Sequence, residues 1–248
     1  MYFSIITVTF NAEENIKKTL DSISMQKFRD FEVIVIDGES QDKTVNIVEA
    51  YFDFINNLSI LSEMDDGIYD AMNKGVRQAK GDYIYFLNAG DCFVDCNVLS
   101  EVKNFIETYK YGKDEYEKHI FHGNIIKKGK IIKYPKKFYE WKWVYLERAY
   151  FSHQAIFASR KLLEVFPFNL SLKICADRDW LIRSIRGGAK YIYMANIAIA
   201  VYEGGGISAG FKQQQADSLI ISTKYGGKKA YYIVKIKRKI GELLGHER

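Results

Sequence analysis

Carboxylates in this chain gather just beyond short apolar, β-branched runs. Asp37 and Glu39 follow the run 31–36, Glu63, Asp65 and Asp66 follow 58–61, and Asp91 follows 82–87. The run 3–8 ends instead in Thr9-Phe10-Asn11. If these runs are neighbouring parallel strands, their polar ends share one rim, where open α/β sheets bind ligands. Carboxylates brought together repel unless a cation or hydrogen-bond donors lie among them. The pattern therefore calls for a divalent metal or a nucleotide. Mg2+ or Mn2+ takes one or two carboxylates and completes its shell with phosphate oxygens, and Asp91 is the first candidate ligand. No G-x-G-x-x-G follows the first run, and no G-x-x-x-x-G-K-[ST] occurs. Dinucleotide oxidoreductases and P-loop enzymes are thereby disfavoured.

The elements that would carry these ends alternate. Between the runs lie helical patterns: Ile16, Leu20 and Ile23; Val45, Val48 and Phe52; Ile68, Met72, Val76 and Ala79. Asn11, with Glu14 in capping-box position, is placed to cap the first. Asp42 would cap the second, and Gly81 would stop the third. Apolar strands separated by helices make βαβ units and a parallel sheet covered on both faces. Farther on, 98–109 reads as a helix, and the pairs 125–126 and 131–132 flank a Gly-containing turn, a hairpin signal. The segments 154–158 and 191–200 read as strands around a helix at 177–186, with two further helices after 211 broken at Gly226-Gly227.

Four segments together resemble the successive motifs of family 2 glycosyltransferases. They are Ser4-Ile-Ile-Thr-Val-Thr-Phe-Asn11, Val35-Ile-Asp-Gly-Glu-Ser-Gln-Asp-Lys-Thr44, Ser62-Glu-Met-Asp-Asp-Gly-Ile-Tyr-Asp-Ala-Met-Asn-Lys-Gly75 and Phe86-Leu-Asn-Ala-Gly-Asp91. The resemblance is strong from 3 to about 95 and weaker to about 210, and points to the bacterial subgroup that builds capsule, exopolysaccharide and lipopolysaccharide. It implies the GT-A nucleotide-diphospho-sugar transferase fold, a Rossmann-like three-layer α/β/α sandwich with a mixed sheet. The catalytic domain would span 1–210, with 1–95 binding nucleotide and 96–210 binding acceptor.

The resemblance also implies roles. Thr9 to Asn11, with Glu13 or Glu14, would line the base and ribose. Asp37 would accept a hydrogen bond from uracil N3, with Ser40 beside it. Asp66, Asn73 and Lys74 would flank the base and diphosphate. Where the family writes Asp-Ala-Asp-Asp, this chain has Asn88-Ala89-Gly90-Asp91; the last acid would hold Mn2+ or Mg2+, while an amide and a glycine stand where the family has its first two acids, one of them the ribose contact. In Cys175-Ala-Asp-Arg-Asp-Trp-Leu-Ile-Arg183, Asp177 aligns with the family's catalytic base and Asp179 is its rival. His153, in a His-Gln pair, would lie near the donor phosphates or the acceptor. Trp180 is core or a sugar platform. The loop 203–208, with three glycines, would close over the donor.

The implied reaction is metal-dependent, inverting transfer from a nucleotide-sugar, a UDP-sugar by preference, to a hydroxyl of a glycan or lipid-linked glycan acceptor. Rival readings are a non-catalytic nucleotide- or sugar-binding module and a nucleotidyltransferase of similar architecture. The latter would want a Gly-rich basic loop after the first strand, which 9–12 is not.

Composition fits a globular protein: 248 residues, 48% apolar and 27% charged. Three cysteines make no disulfide framework and suit a reducing cytoplasm. The N-terminal apolar run is too short for a signal peptide. From 211 onward nine Lys/Arg oppose three acids, a net of +6, whereas the whole chain carries +5, so 1–210 carries −1. A near-neutral body is not a nucleic-acid footprint. The basic extension 211–248 ends in a stretch, 228–248, where Lys and Arg interleave with Tyr231, Ile233, Ile236, Ile240, Leu243 and Leu244. That mixture suits either a helix packed on the body or a peripheral contact with the anionic inner face of a cell membrane.

Overall fold

Every residue of the strands β1 (Phe3–Thr9) and β2 (Phe31–Asp37) is buried, as strands are in the middle of a sheet covered on both faces. The two faces sort by alternation. Phe3 and Ile5, Val33 and Val35, Tyr83 and Tyr85 belong to one core; Ile6 and Val8, Ile34 and Ile36, Ile84 and Phe86 belong to the other. A computed structural model describes residues 1–110, 118–134, 152–202 and 211–243. The elements after β1 are α1 (Ile16–Ser24), β2, α2 (Thr44–Glu49), β3 (Leu58–Ser62), α3 (Ile68–Gln78), β4 (Tyr83–Phe86), β5 (Cys92–Phe93) and α4 (Val98–Lys110). They continue with β6 (His119–Lys127), β7 (Lys130–Ile132), β8 (Ile156–Ser159), α5 (Arg160–Val165), α6 (Ala176–Arg186), β9 (Lys190–Tyr202) and α7 (Phe211–Leu243).

One mixed sheet runs β3-β2-β1-β4-β8-β6-β9-β5, with β7 hairpinned onto β6. The four strands from β3 to β4 are mutually parallel, and β8 runs against both β4 and β6. Residues of α1 and α4 join the core on one face; residues of α3, α5, α6 and α7 join the core on the other. This is the three-layer α/β/α arrangement with a mixed sheet that the resemblance implied. Helix α3 rides close on β1: a Cβ at Gly75 would stand 2.5 Å from Ile6 Cγ2.

Several local expectations change. Asn11 does not cap α1, which begins after Asn15 without a side-chain cap. Gly81 is not a left-handed helix stop. It is small because a Cβ there would lie 2.6 Å from the Phe3 carbonyl carbon and the Ser4 nitrogen. The segment 153–155 is a single 3-10 turn leading into β8 rather than the start of the strand. The first half of α7 is core: Ile221 is fully buried, as are Asp217, Ser218 and Ser222. The expected break falls at Gly227 alone (φ 65°, ψ −165°). Beyond it Ala230 and Val234 face inward while Ile236 is exposed. The inward stripe is therefore not the one through Ile236; the side chains of 240–243 and the whole of 244–248 lie outside the described residues.

Candidate active site

The register of the parallel strands sets the rim. Thr9, Asp37 and Ser62 form one row across β1, β2 and β3. The chain after β4 keeps to β1, with Leu87 N–H donating to the Ile6 carbonyl and Ala89 N–H to the Val8 carbonyl. This brings Asn88 and Asp91 to the same rim. The turn between them has Gly90 at φ +100°, a left-handed conformation that disfavours a side chain. The missing middle acid of the family motif thus has a backbone counterpart. Thr19 of α1 pins the turn, accepting from Gly90 N–H and donating to the Asp91 carbonyl.

Asp91 is 7% exposed. Burial holds its carboxyl above the ordinary carboxylate range, partly offset by His153, a hydrogen bond from Gln154 and Lys18. Gln154 Nε2 donates to Asp91 Oδ2 at 3.2 Å, while the preceding His153 reaches the other way. Its Nδ1 is 3.6 Å from Asp177 Oδ2, beyond hydrogen-bond distance, and its Nε2 is 3.3 Å from Asn88 Nδ2. With the Asn88 amide donating to Nε2, the ring proton sits on Nδ1, facing Asp177. Tyr85 OH holds this turn from below by donating to the Gln154 carbonyl. One dipeptide, His153-Gln154, therefore links the expected metal ligand to the expected base.

Asp177 opens α6, its side chain 20% exposed. Tyr69 OH donates to the Ile174 carbonyl at 2.6 Å and approaches Asp177 Oδ1 at 3.3 Å. Burial, then the nearby Asp177, keeps the Tyr69 phenol well above its usual range, so it stays a proton donor. Asp179 is of a different kind. It is fully buried and accepts from Lys224 Nζ, Tyr225 OH and Arg183 Nε. Burial pushes its carboxyl up, but these three donors outweigh it and hold the carboxyl below the usual range. It is a strut between α6 and α7, with no oxygen offered to an acceptor. Trp180 is 3% exposed and packs near Phe168 in the core, so it is no open platform. An apolar cleft lined by Phe86, Phe168 and Trp180 has His153 and Asp177 as its polar groups.

Other expected residues are spent within the protein. Asn73 is 7% exposed, donates to the Phe168 carbonyl and accepts from Phe168 N–H, so both ends of its amide are bonded within the protein. Lys74 Nζ is bound by the Met64 carbonyl, Glu63 and Asp70, bracing the loop after β3. Asn11 Oδ1 accepts from Gln41 N–H, Glu13 Oε2 from Lys43 N–H, and Ser40 Oγ from Asn11 N–H. These contacts, with Asp42 accepting from Glu13 and Thr44, lace two rim loops together. Asp66 lies exposed on the loop before α3. Asp37 is fully buried and accepts from Ser40 N–H, Ser40 Oγ and Ser62 Oγ. Thr9 Oγ1 and Asn88 Oδ1, in contrast, are buried oxygens with no partner among the described residues. Residues not foreseen are Gln154, Tyr69 and Asp217. Asp217 accepts from Ile174 N–H (2.6 Å) and Cys175 N–H (3.0 Å), just ahead of Asp177. The loop 203–208 lies outside the described residues.

No group of three His, Cys, Asp or Glu that could hold a metal occurs among the described residues. The fit is to a cation taking one carboxylate. Asp91 has Oδ1 uncommitted, and its raised carboxyl is the group a nearby positive charge would ionise.

Solved structures share this fold. The structure of Staphylococcus aureus TarS 1–349 in complex with UDP-GlcNAc matches at a TM-score of 0.68 and 19% identity, covering 94% of this chain and 70% of that one. The mannosyltransferase PcManGT of Pyrobaculum calidifontis, in complex with GDP-Man and Mn2+, matches at 0.64 and 18%, covering 97% and 75%. This chain spans 43% of the longer TarS chain that it also matches. A Mycobacterium tuberculosis PGL/p-HBAD biosynthesis glycosyltransferase is 32% identical over 213 residues, 83% of this chain and 78% of that protein. Residues 4–166 match Glycosyl transferase family 2. The chain belongs to that family and is a glycosyltransferase.

Proposed function

We propose that this glycosyltransferase moves a sugar from a uridine diphosphate donor to a hydroxyl of a glycan or lipid-linked glycan, with inversion at the anomeric carbon. What carries the reading is the His153-Gln154 bridge, which ties Asp91 and Asp177 into one frame. The UDP-GlcNAc held by TarS supports the donor class.

Asp177 takes the proton of the acceptor hydroxyl. The freed oxygen attacks the anomeric carbon from the face opposite the diphosphate, and the bond to the phosphate oxygen breaks with its electron pair. His153, its ring proton toward Asp177, flanks that carboxylate, and the Arg178 N–H, 2.7 Å from Oδ1, holds its other oxygen. Asp91 would hold Mn2+ or Mg2+, whose charge supports the departing diphosphate. Thr9 Oγ1 and Asn88 Oδ1 are oxygens that donor hydroxyls can satisfy.

Uridine diphosphate release, measured with a panel of UDP-sugars and Mn2+ over a glycolipid extract, tests the reading. Acceptor-dependent release from one donor is expected. No release from any nucleotide-sugar would favour a binding module instead.

The second half of α7 supplies a further part of the reading: a peripheral contact with anionic membrane. Its exposed residues include Lys228, Lys229, Lys235 and Lys239 beside Tyr232 and Ile236. No helix among the described residues is long and apolar enough to cross a membrane.

A further inference from the structure

We infer that the hairpin β6–β7 is an anion site and that its ligand is a phosphate carried by the acceptor. This inference rests on the transfer reading above and names the charge that the acceptor brings. Four lysines and no acid stand in the segment Lys127-Lys128-Gly129-Lys130-Ile131-Ile132-Lys133. Lys128, Lys130 and Lys133 are exposed and Lys127 is half-buried. None of the four is ion-paired among the described residues.

The backbone makes this arrangement unfavourable in two ways unless an anion is bound. Lys127 and Lys130 are direct cross-strand partners, so two like charges stand opposite each other on one face of the hairpin. Such a pair destabilises a ladder until an opposite charge lies against it. Between them, Lys128 (φ 50°) and Gly129 (φ 70°) form a two-residue turn with both residues left-handed. That turn favours Asn or Asp ahead of the Gly, and a lysine is strained there. Asn would serve the turn better; lysine supplies charge at its tip. Strain kept at a surface turn is a mark of function.

Position identifies the ligand. Strand β8 runs against β4, and β6 runs against β8, so β6 points the same way as β1 to β4. Its hairpin therefore turns at the rim that carries Asp91. By alternation Lys127 and Lys130 share the face of Ile125 and Ile132. Ile125 forms a small core with Tyr134 and Ala155, against which Ile132, Tyr193 and Tyr202 pack. Lys127 Nζ lies 5.4 Å from the centre of the Tyr202 ring. Ala155 directly follows the His153-Gln154 dipeptide, so the lysine pair and the dipeptide share one support. An anion held by the pair thus belongs to a molecule seated at the catalytic rim. The donor's diphosphate is already assigned to Asp91 and its cation, which leaves the acceptor. Ile131, 55% exposed, makes an anionic membrane the competing occupant, but its partner is Ile126 and it lies on the opposite face from the lysine pair. Lysine is a point charge suited to phosphate.

Calorimetric titration of the full chain, with UDP and Mn2+ present to fill the donor site, compares mannopentaose phosphate with mannopentaose. The wild type should bind the phosphorylated chain about tenfold more tightly, and added salt should narrow the difference. Lys128→Asn combined with Lys130→Gln should erase that preference and leave UDP affinity unchanged. Lys128→Asn alone should weaken phosphate binding while melting at or above the wild-type temperature, because Asn suits the turn. A lysine with a merely structural role would give the reverse. Equal binding of the two oligosaccharides by the wild type, or a double variant that keeps the wild-type preference, overturns the site. If the double variant loses only its pelleting with phosphatidylserine vesicles, the hairpin is a membrane contact and the acceptor assignment is wrong. UDP titrated alone separates the two levels. A wild type that binds UDP but does not distinguish the oligosaccharides loses this inference only, whereas one that binds no UDP loses the donor reading and this inference with it.

Discussion

At the scale of single residues, the site separates two aspartates that stand two positions apart. Asp177 is partly exposed and faces His153 and Tyr69, whereas Asp179 is sealed under Lys224, Tyr225 and Arg183. Replacing Asp177 by Asn preserves shape but removes the proton acceptor. Turnover should fall by roughly 10²–10⁴ while donor affinity stays within a few-fold. The comparison to make is with Asp179→Asn, which should lower thermal stability and keep its chemistry; an inactive but fully stable Asp179→Asn beside an active Asp177→Asn would reverse the assignment. Asp91 belongs to the same scale. Its burial is tolerable for an ion only beside a positive charge, so Asp91→Ala should abolish transfer with the fold intact. EDTA should do the same to the wild type, with Mn2+ or Mg2+ restoring it. Undiminished transfer in metal-free buffer would remove the cation from the mechanism.

At the scale of elements, α6 owes its position to α7. Asp217 accepts from the two backbone N–H groups ahead of α6, Ser218 Oγ accepts from Arg178, and Lys224 and Tyr225 close on Asp179. Removing the carboxylate of Asp179 leaves these donors unmatched and should cost about 3 kcal/mol. At ~2–4 °C per kcal/mol for a chain of this size, that is roughly 6–12 °C in Tm. The pH dependence has a definite sign. The folded carboxyl titrates below its unfolded value of about 4. The unfolded chain therefore binds more protons in that window, and stability rises with pH through it. The contribution is complete above the unfolded pKa and is lost as pH falls through the folded one. Melting curves of the wild type and Asp179→Asn should accordingly converge on acidification; a constant gap would mean that the strut is not electrostatic. These cross-links also show what a sequence conceals. Strands β1 and β2 were legible because burial on both faces forces unbroken apolar runs, and Asp91 and Asp177 stood out as candidates because their motifs have fixed order. The internal contacts of Asn11, Glu13, Asn73 and Lys74 were not legible, since a polar loop residue looks the same whether it meets a ligand or laces one loop to another. Asp217 lies some forty residues from the backbone it holds, beyond any local pattern, and β5, of two residues, is too short for periodicity.

At the scale of the whole molecule, the break at Gly227 divides α7 into a half that belongs to the catalytic body and a half that is largely surface. The first half grips the helix carrying Asp177. The second buries Ala230 and Val234 and turns Lys228, Lys229, Tyr232, Lys235, Ile236 and Lys239 outward. A surface of this kind gains about 1 kcal/mol from each Lys or Arg held near anionic headgroups, with the apolar side chains entering the interface. Because the body is near neutral and the positive charge is concentrated here, attraction to a membrane would orient the molecule rather than merely hold it. Co-sedimentation with phosphatidylserine-containing and purely zwitterionic vesicles measures this. The full chain should pellet with the first and not the second, and added salt should release it as the charges are screened. Lys235→Glu with Lys239→Glu should abolish pelleting yet leave transfer to a water-soluble acceptor unchanged, since neither residue lies in the half of the helix that packs on α6. Transfer to a lipid-linked acceptor in the same vesicles should then fall, because the site is no longer delivered to its substrate. Equal binding to both vesicle types, or charge reversal without effect, would leave this half of α7 with a packing role alone.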